Sequence, residues 1–153
     1  EDLPERIAQL SEKLKAAEKE IETLRKQQLA ARASEFVSAA KDINGFKVIA
    51  LTLPEGTTGG DLRTVATDLR NRLREEEAVI VLGAEDKGKF PFIAAATDKA
   101  VGRGVKSGDI VKELGQYVDG RGGGKPDMAQ GSGSTAAGAE RGFAAVKDML
   151  ESL

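Results

Sequence analysis

The residues best suited to chemistry in this chain fall in one stretch, Asp119 to Ser134, which reads DGRGGGKPDMAQGSGS. Gly120, Gly122, Gly123, Gly124, Gly131 and Gly133 lack Cβ atoms and permit positive φ. Backbone N–H groups can then approach a phosphate or a base closely. Arg121 and Lys125 add positive charge among them. A connector between two helices would also tolerate glycine, but Pro126 stiffens the segment and Met128 and Ala129 are apolar. Both readings stand at this level: a ligand-contacting loop and a connector.

Phosphate-binding motifs narrow the choice. A Walker loop, G-x-x-x-x-G-K-[ST], would align on Gly124-Lys125, but Asp119 takes its first Gly position and Pro126 follows the Lys. Gly131 to Ala136 (GSGSTA) fits the loose dinucleotide pattern without clearly following a strand. Ser132, Ser134 and Thr135 read instead as helix caps, with N–H groups free for an anion. Asp127 has no second carboxylate near it in sequence, so it reads as an acceptor of backbone N–H bonds that fixes the loop rather than as a cation ligand. Tyr117, the single Tyr, suits either stacking on a base or a place at the core rim.

Two absences bound the rest. The chain has no Cys and no His, which removes thiolate nucleophiles, zinc–thiolate sites, Ser–His–Asp machinery and imidazole metal ligands. Only carboxylate or lysine chemistry remains, so the expectation is a noncatalytic chain without a metal of its own. The 23 basic and 25 acidic residues leave a net charge of −2, which excludes a uniformly basic nucleic-acid binder. From Lys99 to Lys125, however, Lys99, Arg103, Lys106, Lys112, Arg121 and Lys125 face three acidic residues. That local excess favours a polyanion held by backbone and basic contacts; ordinary solvated charge is the plain alternative.

The elements that must position these residues differ in period. Residues 1–43 lack Gly, and Leu3, Ile7, Leu10, Leu14, Ala17, Ile21 and Leu24 follow the 4-3 spacing of a coiled-coil seam. Such a helix, about 60 Å long at ~1.5 Å per residue, needs a partner: a second copy or another helix of a longer chain. Lying on its own domain is the alternative. Asn44-Gly45 reads as the helix stop.

Beyond it the pattern predicts a buried strand over 46–53 and a helix over 61–76 capped by Asp61 or a neighbouring Thr. That helix carries Arg63, Arg70, Arg72 and Arg74 on its outer face. Strands follow over 78–84 and 90–97, the second begun late or placed at an edge because of Pro91. A helix to about Val118, with Ser107 as its N-cap, and a last one from about Thr135 to Leu150 flank the glycine stretch. The fold class is therefore α/β: a long coiled-coil-like helix (1–43), then a small α/β domain (44–153) with a mixed sheet, its first two strands parallel and the next two antiparallel. The 153 residues suit one domain with an appendage. No run approaches the roughly 18 apolar residues of a membrane span. There is neither a cleavable leader nor an initiating Met, and the chain reads as a piece of a longer protein.

The string from Gly120 to Gly133, with its core GGG-K-PDMAQG, resembles the signature of the C-terminal (C-Ala) domain of alanyl-tRNA synthetases, as does the order of a helical arm and a small α/β domain. The resemblance implies a noncatalytic, cytoplasmic tRNA-binding domain that contacts the outer corner of alanine tRNA. It would assist aminoacylation and editing by the other domains of a parent alanine–tRNA ligase, itself using ATP, magnesium and zinc. The implied tRNA contacts are Arg121, Gly122, Gly123, Gly124, Lys125, Pro126, Asp127, Gln130 and Gly131, supported by Lys99, Arg103 and Lys106. Homodimerisation would run through Leu3, Ile7, Leu10, Leu14, Ile21 and Leu24, with no membrane contact. Lys125 and Ser132 depart conservatively from the family pattern, although Lys cannot make a bidentate fork to phosphate. Two alternatives remain: the substrate-binding accessory domain of a DHH-type phosphoesterase, which the coiled-coil arm and PDMAQ core disfavour, and a purely structural dimerisation module.

Overall fold

The computed structural model describes the backbone of residues 3–152; the side chains of residues 3–5, 25, 26, 29 and 30, including that of seam residue Leu3, lie outside the description. The chain divides into two units, Glu1–Arg32 and Ala33–Leu153.

Helix α1 spans Leu3–Ser38. Within it Ile7, Leu10, Leu14 and Ile21 are each more than 60% exposed and Leu24 is 52% exposed. The helix stops short of Asn44-Gly45. Those two residues instead take positive φ, 52° and 84°, and turn strand β1 (Lys41–Ile43) into β2 (Phe46–Thr52), with Ile43 opposite Phe46. Asn-Gly is the preferred pair for such a two-residue hairpin turn. Local chemistry that can end a helix has here been used to join strands.

Helix α2 (Gly59–Arg72) begins with a reciprocal capping box. The Thr58 hydroxyl accepts from the Asp61 N–H and the Asp61 carboxylate accepts from the Thr58 N–H, both at 3.2 Å. It ends short of Glu76. The Glu76 and Glu77 carbonyls accept from the Thr97 hydroxyl and the Lys47 N–H, which draws the chain into β3 (Ala78–Gly83). Strand β4 (Phe90–Ala96) lies inside the sheet, not at an edge. Pro91 is tolerated at its second residue, where its carbonyl still accepts from the Ala84 N–H. After β4 come a short helix α3 (Asp98–Gly102) and α4 (Ser107–Tyr117).

The stretch expected as a glycine loop is a β-hairpin: β5 (Gly120–Gly124) pairs antiparallel with β6 (Met128–Gly133). Helix α5 (Ala139–Glu151) follows, starting later than Thr135 because residues 134–138 fold back on the end of α4: the Ser134 N–H donates to the Val118 carbonyl. The sheet order is β1-β2-β3-β4-β6-β5. Strands β2 and β3 are parallel and β3 and β4 antiparallel, as the pattern predicts.

Strand alternation divides the core. Val79, Val81, Phe92 and Ala94 pack with Ile110, Leu114, Phe143, Val146 and Leu150 of α4 and α5. Ile80, Leu82 and Ile93 point to the opposite face, where α2 covers β3 and β4 and buries Leu62, Val65, Ala66 and Leu69. Among the described residues no helix is long and apolar enough to cross a membrane.

Candidate functional site

The β5–β6 hairpin forms one end of the sheet, and its glycines serve packing. None of them has positive φ, which corrects the expectation drawn from glycine's freedom. A Cβ at Gly122 would overlap Val111 of α4, one at Gly133 would overlap Val118, and one at Gly131 would stand 2.7 Å from the Phe92 ring. Helix α4 answers with its own small residues: a Cβ on Gly115 would meet the Gly120 carbonyl at 3.0 Å, and one on Gly108 the Gly124 carbonyl at 3.2 Å. Gly123 alone in the hairpin has nothing within 4 Å of where its Cβ would be. It faces away from α4, into open space.

That open space is a cleft of about 380 Å³ between α2 and the hairpin. Gly123, Gly124, Ala129 and Gln130 line one side, Arg63 and Arg70 of α2 the other, and Lys125, Asp127 and Met128 its end. The turn is closed by the Lys125 N–H donating to the Met128 carbonyl at 2.9 Å, with Pro126 and Asp127 between them. It is tied down from two directions: the Ser107 N–H donates to the Pro126 carbonyl and the Ala96 N–H to the Asp127 carbonyl, each at 2.9 Å. Ser107 is thereby the first residue of α4 rather than its cap, and Lys106 holds the cap position. Gln130 is oriented by its amide nitrogen, which donates to the Gly59 carbonyl at 3.1 Å.

Three cations and one carboxylate surround the cleft. Arg70 approaches the Asp127 carboxylate at 3.5 Å and its carbonyl at 3.4 Å. Asp127 thus meets an arginine with its side chain and fixes the turn with its backbone, where backbone N–H donors to the carboxylate had been expected. Arg63 and Lys125 have no ion-pair partner among the described residues. The net positive charge and the absence of a bulky floor suit an anionic ligand.

The remaining sequence candidates separate. Arg121 is exposed on β5 opposite Ser132, on the same strand face as Gly123 but outside the cleft lining. Lys106 is exposed next to Ser107, close to the turn. Lys99 and Arg103 are engaged elsewhere. Lys99 donates to the Glu75 carbonyl at 2.8 Å. Arg103 donates to the Asn44 carbonyl at 3.0 Å and the Glu77 carboxylate at 2.6 Å, and its guanidinium lies 4.2 Å over the Phe46 ring. Nearby, a hydrogen bond from Lys47 to Glu76 at 2.6 Å raises the Lys47 pKa above the usual lysine value. Tyr117 is at the rim, 37% exposed. Ser134 and Thr135 do bond locally, to the Asp119 carbonyl and the Ala137 N–H, but neither caps α5, whose cap position is Gly138. No group of three His, Cys, Asp or Glu converges among the described residues.

Sequence reasoning missed Arg63 and Arg70 as cleft residues. Their signal was present as basic residues two turns apart on one helix face, but nothing in the spacing linked that face to residue 125.

Fold and cleft together define a small α/β domain with a tightly packed glycine hairpin and a basic groove beside it. The chain belongs to the DHHA1 domain family, whose profile matches residues 45–152. Over 99% of its length it is 53% identical to an alanine–tRNA ligase of Corynebacterium efficiens, and over an equal share 41% identical to that of Saccharopolyspora erythraea. It spans 17% of the length of those relatives. Its fold is similar to the C-Ala domain of the Aquifex aeolicus alanyl-tRNA synthetase (TM-score 0.65, 22% identity, 73% of this chain and 97% of that one). It is also similar in fold to RecJ from Thermus thermophilus (TM-score 0.59, 20% identity, 85% of this chain and 18% of that one).

Proposed function

We propose that the chain is the noncatalytic, tRNA-binding part of a cytoplasmic alanine–tRNA ligase. The observation that carries this reading is the basic cleft beside the hairpin, in a chain about half identical along its whole length to such ligases. The cleft holds the tRNA backbone through Arg63, Arg70 and Lys125. Arg121 and Lys106 extend the contact along the neighbouring surface. Binding at the outer corner of the tRNA would hold one substrate for both aminoacylation and editing. ATP, magnesium and zinc would serve the other domains. The exposed seam of α1 pairs with a second copy of the chain. The phosphoesterase alternative draws on the DHHA1 family match and on likeness of fold to RecJ at 20% identity, against about half identity to the ligases along the whole chain; a purely structural dimerisation module would not call for the basic cleft.

The test is a filter-binding titration of the purified chain with alanine tRNA at two salt concentrations. Saturable binding that weakens steeply with salt is expected, with no aminoacylation by the chain itself. Absence of saturable binding at low salt would refute the reading, as would full affinity in an Arg121→Ala, Lys125→Ala double variant that retains its fold.

A further inference from the structure

Asp127 is the one cleft feature that phosphate binding does not explain. An ionised carboxylate beside a bound phosphate repels it, so this side chain opposes the cations around it unless the ligand brings a hydrogen-bond donor to meet it. The carboxylate is 48% exposed, and its contact with Arg70 is 3.5 Å long, well beyond the 2.7–2.9 Å of a well-made charge-assisted bond. It therefore keeps acceptor capacity directed at the cleft. Its role in the fold is small, because the turn is held by the Asp127 carbonyl and the Ala96 N–H. The other polar side chain of the lining, Gln130, already spends its amide nitrogen on Gly59.

We infer that Asp127 reads a ribose 2′-hydroxyl next to the backbone phosphate seated by Arg63, Arg70 and Lys125, and so makes the cleft selective for RNA. The inference rests on the RNA-binding reading above. A phosphodiester carries no proton at neutral pH, and the donor nearest to it in RNA, absent from DNA, is the 2′-hydroxyl. Arg70 then bridges the carboxylate and the phosphate, and the loose pair of the free protein is tightened by the ligand.

The experiment compares a synthetic RNA stem–loop copying the tRNA corner with its fully 2′-fluoro counterpart, which keeps the A-form sugar pucker but cannot donate. The wild-type chain should bind the RNA about tenfold more tightly than the 2′-fluoro probe, as expected for one hydrogen bond to a charged acceptor. In Asp127→Ala, folded by circular dichroism, RNA binding should weaken, 2′-fluoro binding should hold or improve, and the ratio should fall towards one. Equal binding of the two probes by the wild type would overturn the inference. So would a variant that tightens on both probes equally, which would make Asp127 a simple counter-charge. If neither probe binds the wild type, the RNA-binding reading itself has failed and the inference falls with it.

Discussion

Arg70 of α2 and Asp127 of the β5–β6 turn, 57 residues apart in sequence, meet at 3.5 Å across the end of one cleft. The contact joins two elements that carry separate sets of basic residues. It brings the arginine face of α2 into the same site as Lys125, so the hairpin is one wall of the site rather than the whole of it.

The first consequence concerns the arginines. Arg63→Ala and Arg70→Ala should each weaken tRNA binding across sequences and lower the salt slope by about one unit. Arg74→Ala is the control, because Arg74 is exposed beside Glu75, outside the cleft lining. Titrations at several salt concentrations measure all three. Equal losses in Arg63→Ala and Arg74→Ala would place the binding surface elsewhere.

The two kinds of hairpin glycine should respond differently. Gly122→Val places methyl groups on Val111 and on the β6 backbone, an overpacking that should cost about 1–3 kcal/mol or prevent folding. Gly123→Val meets open space and gains strand propensity, so thermal unfolding should change little. Its side chain would still fill part of the cleft and reduce tRNA affinity. Melting curves beside binding curves separate these outcomes; equal destabilisation by both changes would contradict the packing described.

Arg103 should act on stability rather than on binding. Its guanidinium joins the Asn44 carbonyl, the Glu77 carboxylate and the Phe46 ring. Arg103→Ala should cost about 1–2 kcal/mol by chemical denaturation while leaving tRNA affinity within about twofold under folding conditions, a margin of ~0.4 kcal/mol. A large loss of affinity in a fully folded variant would return Arg103 to the interface.

The seam of α1 is the remaining test. Leu10→Lys with Leu14→Lys sets charges in the apolar stripe and should abolish self-association, because a coiled coil buries these positions. Analytical ultracentrifugation of the two proteins would show the loss of mass. A wild-type chain that is monomeric at high concentration would exclude the homodimer.

The parts of the fold legible along the chain are those that depend on near neighbours. The period-2 and period-3.6 apolar patterns specify β2, α2, β3, β4 and α4 in order, and Asp61 with its neighbouring threonines marks where α2 is capped. The GGGKPDMAQG string carries the family, and the missing His and Cys bound the chemistry. The hairpin was hidden because alternation is a property of side chains: GRGGG has one side chain to alternate, and composition there signals a loop. Asn44-Gly45 was ambiguous because the same pair ends helices and turns strands, and pairing Lys41–Ile43 with Phe46–Val48 is what decides between them. The neighbours of the basic residues are set only by tertiary packing. The cations of one segment look equivalent along the chain, yet Lys99 and Arg103 fold onto the carbonyls and carboxylates of residues 44 and 75–77. Arg63 and Arg70 take their place beside Lys125 because the crossover helix α2 lies over β3 and β4 and reaches the hairpin turn. Local spacing sets which face of a helix is polar; only the packing of that helix on a distant strand decides what the polar face meets.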